Sequence, residues 1–141
     1  MKIAEPMPTI GWEAANAAVV ACARHAESLG ISINAAIVDR SGLTVSFLRM
    51  PGAALHSIDI AVDKAYTAAS FGAPTGQWDE ILKAHSPAVA RGLPQRARFV
   101  MFGGGLPIVA GGERVGGIGV SGGSESQDTD CARAGLAGLG L

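Results

Sequence analysis

The strongest candidate for acid–base chemistry is a histidine that precedes two aspartates at helical spacing. His56 lies three positions before Asp59 and seven before Asp63, so on a helix the imidazole shares one face with both carboxylates. Nearby carboxylates favour the protonated imidazole, as a general acid or base requires. The same spacing is typical of a solvated helix face near an N-terminus, where the helix dipole favours aspartate. A catalytic pair and an ordinary polar face both fit the pattern.

Glycine-rich segments are the second feature with chemical potential. Gly117, Gly119 and Gly122 match G-x-G-x-x-G, but a dinucleotide site needs a second parallel strand and an acidic residue about 20 positions on, which the sequence does not offer. Glycines inside a strand indicate close approach of another backbone or a ligand. Gly122-Gly123 lead into the last predicted helix, whose N-terminus favours an anion, and the 103–105 run forms another wall. Pocket lining and simple turns both remain open.

Nucleophilic catalysis finds no support in the sequence. There is no G-x-S-x-G elbow, because the spacing around Ser121 is wrong. Cys22 and Cys131 are isolated, form no C-x-x-C pair and have no basic neighbour that would activate a thiolate. We therefore expect reduced thiols in the cytoplasm, without a zinc site or disulfide.

Hydrophobic periodicity predicts an α+β fold with an antiparallel sheet flanked by helices. Two hairpins are predicted, one at residues 32–39 and 43–50, the other at 106–110 and 114–121. Helices are predicted at 11–29, 54–71, 77–83 and 124–139, the last with Ser124 and Gln127 at capping-box spacing. Residues 85–98, which contain two prolines and a glycine, are predicted to be irregular. The whole of 1–141 fits one domain.

Composition restricts the partners. Charged residues make up only 16% of the chain and hydrophobic residues 48%, with a mean hydropathy of +0.31. A small chain of this kind covers its surface poorly with polar groups, so we expect a homo-oligomer. The net charge of −1 and scattered basic residues argue against nucleic-acid binding. The apolar stretches are too short for a membrane span, and residues 1–9 do not resemble a signal peptide.

Four segments carry a family resemblance: residues 38–42 (VDRSG), 57–69 (SIDIAVDKAYTAA), 102–107 (FGGGLP) and 115–123 (VGGIGVSGG) with Gln127-Asp128. In order and spacing they resemble the GlcG/HbpS-like proteins, a haem-binding and haem-degrading group related to the C-terminal domain of the PduO adenosyltransferase. The resemblance extends over nearly the whole chain. It is specific for the family, although not for one activity.

The resemblance implies an α+β sandwich that assembles into dimers, tetramers or octamers, with a ligand pocket near a subunit interface. The pocket would be lined by Lys64, Tyr66 and Thr67 of the second long helix and by the glycine segments, including Gly104, Gly105, Gly122 and Gly123. Some members bind haem through a histidine of the first helix, where His25 is the only candidate. His25 also fits a surface position near a helix C-terminus, where imidazolium is favoured.

Two functions follow as hypotheses, with haem first. In the first, a cytoplasmic oligomer binds or degrades haem or another tetrapyrrole, His25 or His56 ligates iron, and Arg96 or Arg98 pairs with the propionates. In the second, a cofactor-free isomerase, deaminase, hydrolase or decarboxylase acts on a small carboxylate or ring-cleavage product of a catabolic pathway. There His56 is the acid–base group oriented by Asp59, while Lys64 or Arg98 and the Gly122-Gly123 N–H groups hold the anion.

Overall fold

The computed structural model describes all 141 residues and contains five α-helices and a four-stranded antiparallel sheet. None of the helices combines the length and apolar character that a membrane crossing requires. The predicted α+β class is confirmed. The helices are α1 (Trp12–Ser28), α2 (His56–Phe71), α3 (Trp78–Lys83), α4 (Pro87–Gly92) and α5 (Glu125–Ala137). The strands are β1 (Asn34–Asp39), β2 (Thr44–Arg49), β3 (Gly105–Ala110) and β4 (Glu113–Ser121), in the spatial order β2-β1-β4-β3.

The sheet separates two hydrophobic layers, as the alternation of β1 shows. Ala35 and Ile37 belong to the larger core, which α1 and α5 cover. Ala36 and Val38 point to the other face and pack against the alanines of α2. Because successive strand residues point to opposite faces, β1 is buried on both sides. Helices α1 and α5 therefore lie on one side of the sheet, and α2 lies on the other.

Two glycines of β4 allow α2 to lie directly on the sheet. A Cβ atom at Gly119 would overlap the carbonyl oxygen of Ala61, and one at Gly117 would overlap that of Ala65. Alanine recurs at every fourth position on this face of α2, where only a small side chain fits. The G-x-G-x-x-G match therefore reflects helix–sheet packing, which is the close backbone approach expected for glycine within a strand.

The expectation of irregular structure at residues 85–98 is wrong. Helix α4 begins after Ser86, whose hydroxyl accepts a hydrogen bond from the Val89 N–H at 3.3 Å. Pro87 occupies the first turn, where its missing N–H costs nothing, and Leu93–Gln95 continues as a 3₁₀ turn. Pro87 and Pro94 each lie at the first or second position of a short helix, where proline favours the helix instead of breaking it.

Both cysteines are free and buried in the larger core. Burial raises the pKa of Cys22 to about 12 and that of Cys131 to about 11. The thiols therefore stay protonated at neutral pH and act as small apolar side chains.

The glycine contact predicts a large stability effect for Gly119→Ala. The added methyl group meets backbone atoms, which cannot move aside as a side chain can, so the free energy of unfolding should fall by about 3 kcal/mol, the upper end of overpacking effects. Gly92→Ala is the matched control, because open space surrounds that position and its φ is not positive. Urea denaturation should show unchanged or slightly higher stability for the control. Equal stability of the two variants would contradict the packing argument.

Candidate functional site

Lys64 lies in a buried cluster that joins α2, β4 and α5. Its side chain is 1% exposed, and Nζ donates to the Val120 carbonyl at 2.8 Å and to Asp128 Oδ2 at 2.9 Å. Burial lowers the pKa of Lys64 and raises the pKa of Asp128, while the hydrogen bond between them opposes both shifts. The two groups satisfy each other, so Lys64 is not available to hold a substrate anion as the sequence predicted.

The glycine loop before β3 closes over this pair. Gly104 has φ +116, and a Cβ there would lie 2.8 Å from Lys64 Nζ. Gly103 N donates to Glu125 Oε1 at 2.6 Å, and Gly105 N donates to Thr75 Oγ1 at 2.9 Å. Gly104 and Gly105 also line a cavity of about 230 Å³. The main role of these two glycines is close packing of the loop on Lys64.

The predicted anion site at the start of α5 is filled by the chain itself. The Gly123 N–H donates to Asp128 Oδ1 at 2.8 Å, and the Ser124 N–H donates to Gln127 Oε1 at 2.9 Å. The Ser124 hydroxyl accepts in return from the Gln127 N–H at 3.2 Å, and these two Ser124–Gln127 contacts form the predicted capping box. The Asp128 carboxylate is therefore the anion at this helix N-terminus. At the predicted Gly122-Gly123 site, the Gly123 N–H is not available to an external anion.

The proposed acid–base arrangement around His56 is not assembled. His56 is the first residue of α2, and both it and Asp59 are exposed, with no side-chain hydrogen bond to either. Lys64 is buried about two turns further along the same helix, where it is paired with Asp128. The histidine and aspartate are in solvent and the lysine is in the interior, so no enclosed site brings the three together.

Three of the predicted residues lie together, Tyr66 and Thr67 of α2 and Arg98 of the segment that packs beside it. The Arg98 guanidinium stacks on the Tyr66 ring at 3.7 Å, and its Nε donates to Asp63 Oδ1 at 2.8 Å. The buried Thr67 hydroxyl donates to the Arg98 carbonyl at 2.9 Å and accepts from Val100 N at 3.1 Å. Arg98 is the only non-glycine residue with positive φ, at 65°, a conformation that persists only when its surroundings enforce it. Thr67 thus fixes the backbone that presents Arg98.

These residues line a cavity of about 270 Å³ between α2 and residues 93–99. Phe71 and Phe99 contribute aromatic rings, and both make edge-on contacts of 4.8 Å with the buried Trp78. Arg96 and Arg98 place two cations at the same cavity. Apolar surface beside guanidinium groups fits a flat, apolar ligand that carries carboxylates. The volume lies just below the usual range for small-molecule sites, so one chain covers only part of a large ligand.

His25 lies apart from this cavity. It is half-buried in the last turn of α1, on the opposite side of the sheet from α2. A single chain therefore does not bring His25 and Arg98, the two predicted cofactor-binding residues, to the same ligand. No group of three or more His, Cys, Asp and Glu side chains is placed to hold a metal ion.

Asp128 is a site residue that the sequence reasoning missed. Its partner lies 64 positions away, so local spacing could not identify the pair. A signal was nevertheless present, since Asp128 precedes Cys131, Ala132 and Gly135 at helical spacing and thus lies on the apolar face of α5. A carboxylate on a buried face requires a cation or several donors.

Comparison with known proteins gives one family. Residues 10–137 match the family model described as haem degrading protein HbpS-like. The corrinoid adenosyltransferase PduO of Citrobacter freundii is 33% identical over 140 residues, which cover 97% of this chain and 41% of that protein. The match thus spans well under half of the adenosyltransferase.

Two solved structures share the fold over nearly the whole chain. A double mutant of Streptomyces reticuli HbpS is 37% identical with a TM-score of 0.88, covering 98% of this chain and 92% of that one. The structure described as a PduOC:heme complex is 30% identical with a TM-score of 0.84, covering 92% of this chain and 94% of that one.

The buried pair predicts a strong non-additive effect on stability. Lys64→Met and Asp128→Leu each leave a buried group without its partner, so each should lower the free energy of unfolding by about 3–5 kcal/mol. In the double variant, the loss of free energy of unfolding should be about 1–3 kcal/mol smaller than the sum of the two single losses. Urea denaturation measures all three.

The control for this double-mutant cycle is Lys83→Met, since Lys83 pairs with Glu80 on the exposed surface of α3. The control should change the free energy of unfolding by no more than about 0.5 kcal/mol. Strictly additive losses in the double variant would show that the Lys64–Asp128 contact contributes nothing of its own.

Proposed function

We propose that this chain, which belongs to the HbpS-like family of haem-degrading proteins, binds haem in the cavity between α2 and residues 93–99. The observation that supports this placement is the combination of Phe71 and Phe99 with Arg96 and Arg98 in one lining. The solved haem complex of the PduO C-terminal domain supports haem as the ligand class, at 30% identity over 92% of this chain.

The residues of the cavity fit the chemical groups of haem. Phenylalanine rings provide apolar contact for the macrocycle, and guanidinium groups pair with propionates. Tyr66 is the lining residue of a type that serves as an axial haem ligand, and its hydroxyl makes no hydrogen bond within the chain. Bound haem would supply an iron centre. Arg96 and Arg98 would hold the propionates of the haem, and Tyr66 would offer its hydroxyl to the iron.

The position of Tyr66 is well defined by its neighbours. Gly42 of the β1–β2 turn has φ +85, and a Cβ there would lie 2.7 Å from Tyr66 Cε2. The ring therefore packs on the backbone of that turn, while Arg98 stacks on the ring at 3.7 Å. A ligand group held between two fixed neighbours is preorganised, which reduces the entropy lost on binding.

We further propose that a second copy of the chain covers the rest of the haem, in a cytoplasmic homo-oligomer. One chain encloses only about 270 Å³ at this cavity, and Phe71 at its edge is 47% exposed. The low charged content of 16% favours burial of such apolar surface between copies. The two free thiols fit a reducing compartment.

A hemin titration followed by visible absorbance tests the placement. The wild type should show a saturable Soret band. Arg96→Gln/Arg98→Gln should weaken binding about tenfold or more by removing the charge-assisted contacts, and Tyr66→Phe should change the position of the band by removing the axial oxygen. Matched controls are His56→Ala, Arg133→Gln and His25→Ala, all away from the cavity, which should bind and absorb as the wild type does.

Two outcomes would overturn parts of the proposal. Weak, non-saturating absorbance in the wild type would exclude specific haem binding. Loss of the band in His25→Ala, with Tyr66→Phe and the arginine double variant unaffected, would move the haem to the α1 side of the sheet.

A further inference from the structure

A second arginine cluster lies outside the haem cavity. Arg114, near the start of β4, makes no ion pair, and its Nε is buried without a hydrogen-bond partner. Its Nη1 occupies the space that a side chain at Gly72 would need, directly at the C-terminal end of α2. The Arg114 side chain makes no hydrogen bond within the chain, so the N–H groups that it presents to the neighbouring cavity are available to an acceptor from outside.

Arg114 lines a cavity of about 310 Å³ between the β1–β2 turn and the second half of α2. The lining contributes a second arginine, Arg40, and the hydroxyl-bearing residues Ser41, Tyr66 and Ser70. It contains no acidic side chain. All the ionised groups in the wall are thus positive, and hydroxyl groups surround them as further donors.

Two carboxylates neighbour the lining residues, and each already accepts a hydrogen bond within the chain. Glu113 Oε2 accepts from Arg40 Nη1 at 3.2 Å, on a side chain that is 60% exposed. Asp39 Oδ1 accepts from the backbone N–H groups of Ser41 and Leu43 at 2.8 and 3.0 Å, which holds the turn. Arg40 keeps donors beyond its ion pair with Glu113, and Arg114 forms no ion pair, so Arg114 is the uncompensated positive charge of the cavity.

We propose that this cavity is a binding site for a small oxyanion, a carboxylate or phosphate group, held by Arg114 and Arg40. The planar guanidinium fork matches both groups. The Ser41 and Ser70 hydroxyls bind further oxygens of the ligand. The volume corresponds to about ten water molecules, which limits the ligand to a small metabolite. The site uses different arginines from the haem cavity, although Tyr66 and Ser70 line both, and it does not depend on haem binding.

Thermal unfolding with inorganic phosphate or succinate tests the site, with sodium chloride at equal ionic strength as the salt control. Ligand that binds only the folded state raises the Tm with its concentration. The wild type should show a saturable rise with at least one of the two anions. Arg114→Gln should abolish the rise, and Arg40→Gln should weaken the affinity about tenfold. Arg133→Gln, on the exposed surface of α5, should behave as the wild type.

Arg114→Lys provides a second variant should the glutamine variant fail to fold. It keeps the charge but loses the fork, so affinity should fall about tenfold while the fold is retained. Isothermal titration of phosphate or succinate into the folded variant gives the affinity directly. Hemin binding by Arg114→Lys should remain that of the wild type, which separates this site from the haem cavity.

The result that overturns the proposal is specific. If neither anion gives a saturable Tm rise in the wild type, or if the rise survives in both Arg114 variants, the cavity is not an oxyanion site. Destabilisation of the Arg114 variants without any anion effect would show that Arg114 only balances the dipole at the end of α2.

Discussion

The close contact between α2 and β4 is the constraint on which the rest of the structure depends. Gly117 and Gly119 leave two positions of the strand without a side chain, and the facing alanines of the helix carry only a methyl group. The helix backbone therefore lies directly on the sheet, at a distance that larger side chains would forbid. With the helix axis fixed in this way, the remaining side chains of α2 have defined directions, either inward to the sheet or outward to a cavity.

The two directions give α2 two separate roles. Lys64 points inward and joins three elements through Val120 and Asp128, which fixes the glycine loop and the start of α5. Tyr66 points outward and forms the boundary between two cavities, one with Arg96 and Arg98, the other with Arg40 and Arg114. Buried charge thus contributes to the order of the fold, whereas the partly exposed arginines keep donors that ligands can reach. The inward pair supports the binding surface without touching it.

The sequence predicted the elements well because their signals are local. Both hairpins, the long helices and the capping box at Ser124 follow from spacing and turn residues within a few positions. Helix α4 does not follow from treating proline as a helix breaker, because Pro87 follows a good N-cap and so begins the helix. The site was harder to predict. The Lys64–Asp128 pair and the Arg98–Tyr66 stack join distant segments, and Arg114 carries no local pattern at all. Such contacts depend on the packing of whole elements.

The central claim is that haem binds on the α2 side of the sheet, and the most direct test is to locate the iron. A crystal structure of the chain with hemin, with anomalous diffraction recorded at the iron absorption edge, places the metal independently of any mutation. The account predicts one iron position beside Tyr66, with the propionates at Arg96 and Arg98. An iron position beside His25 on α1, with the α2 cavity empty, would contradict it.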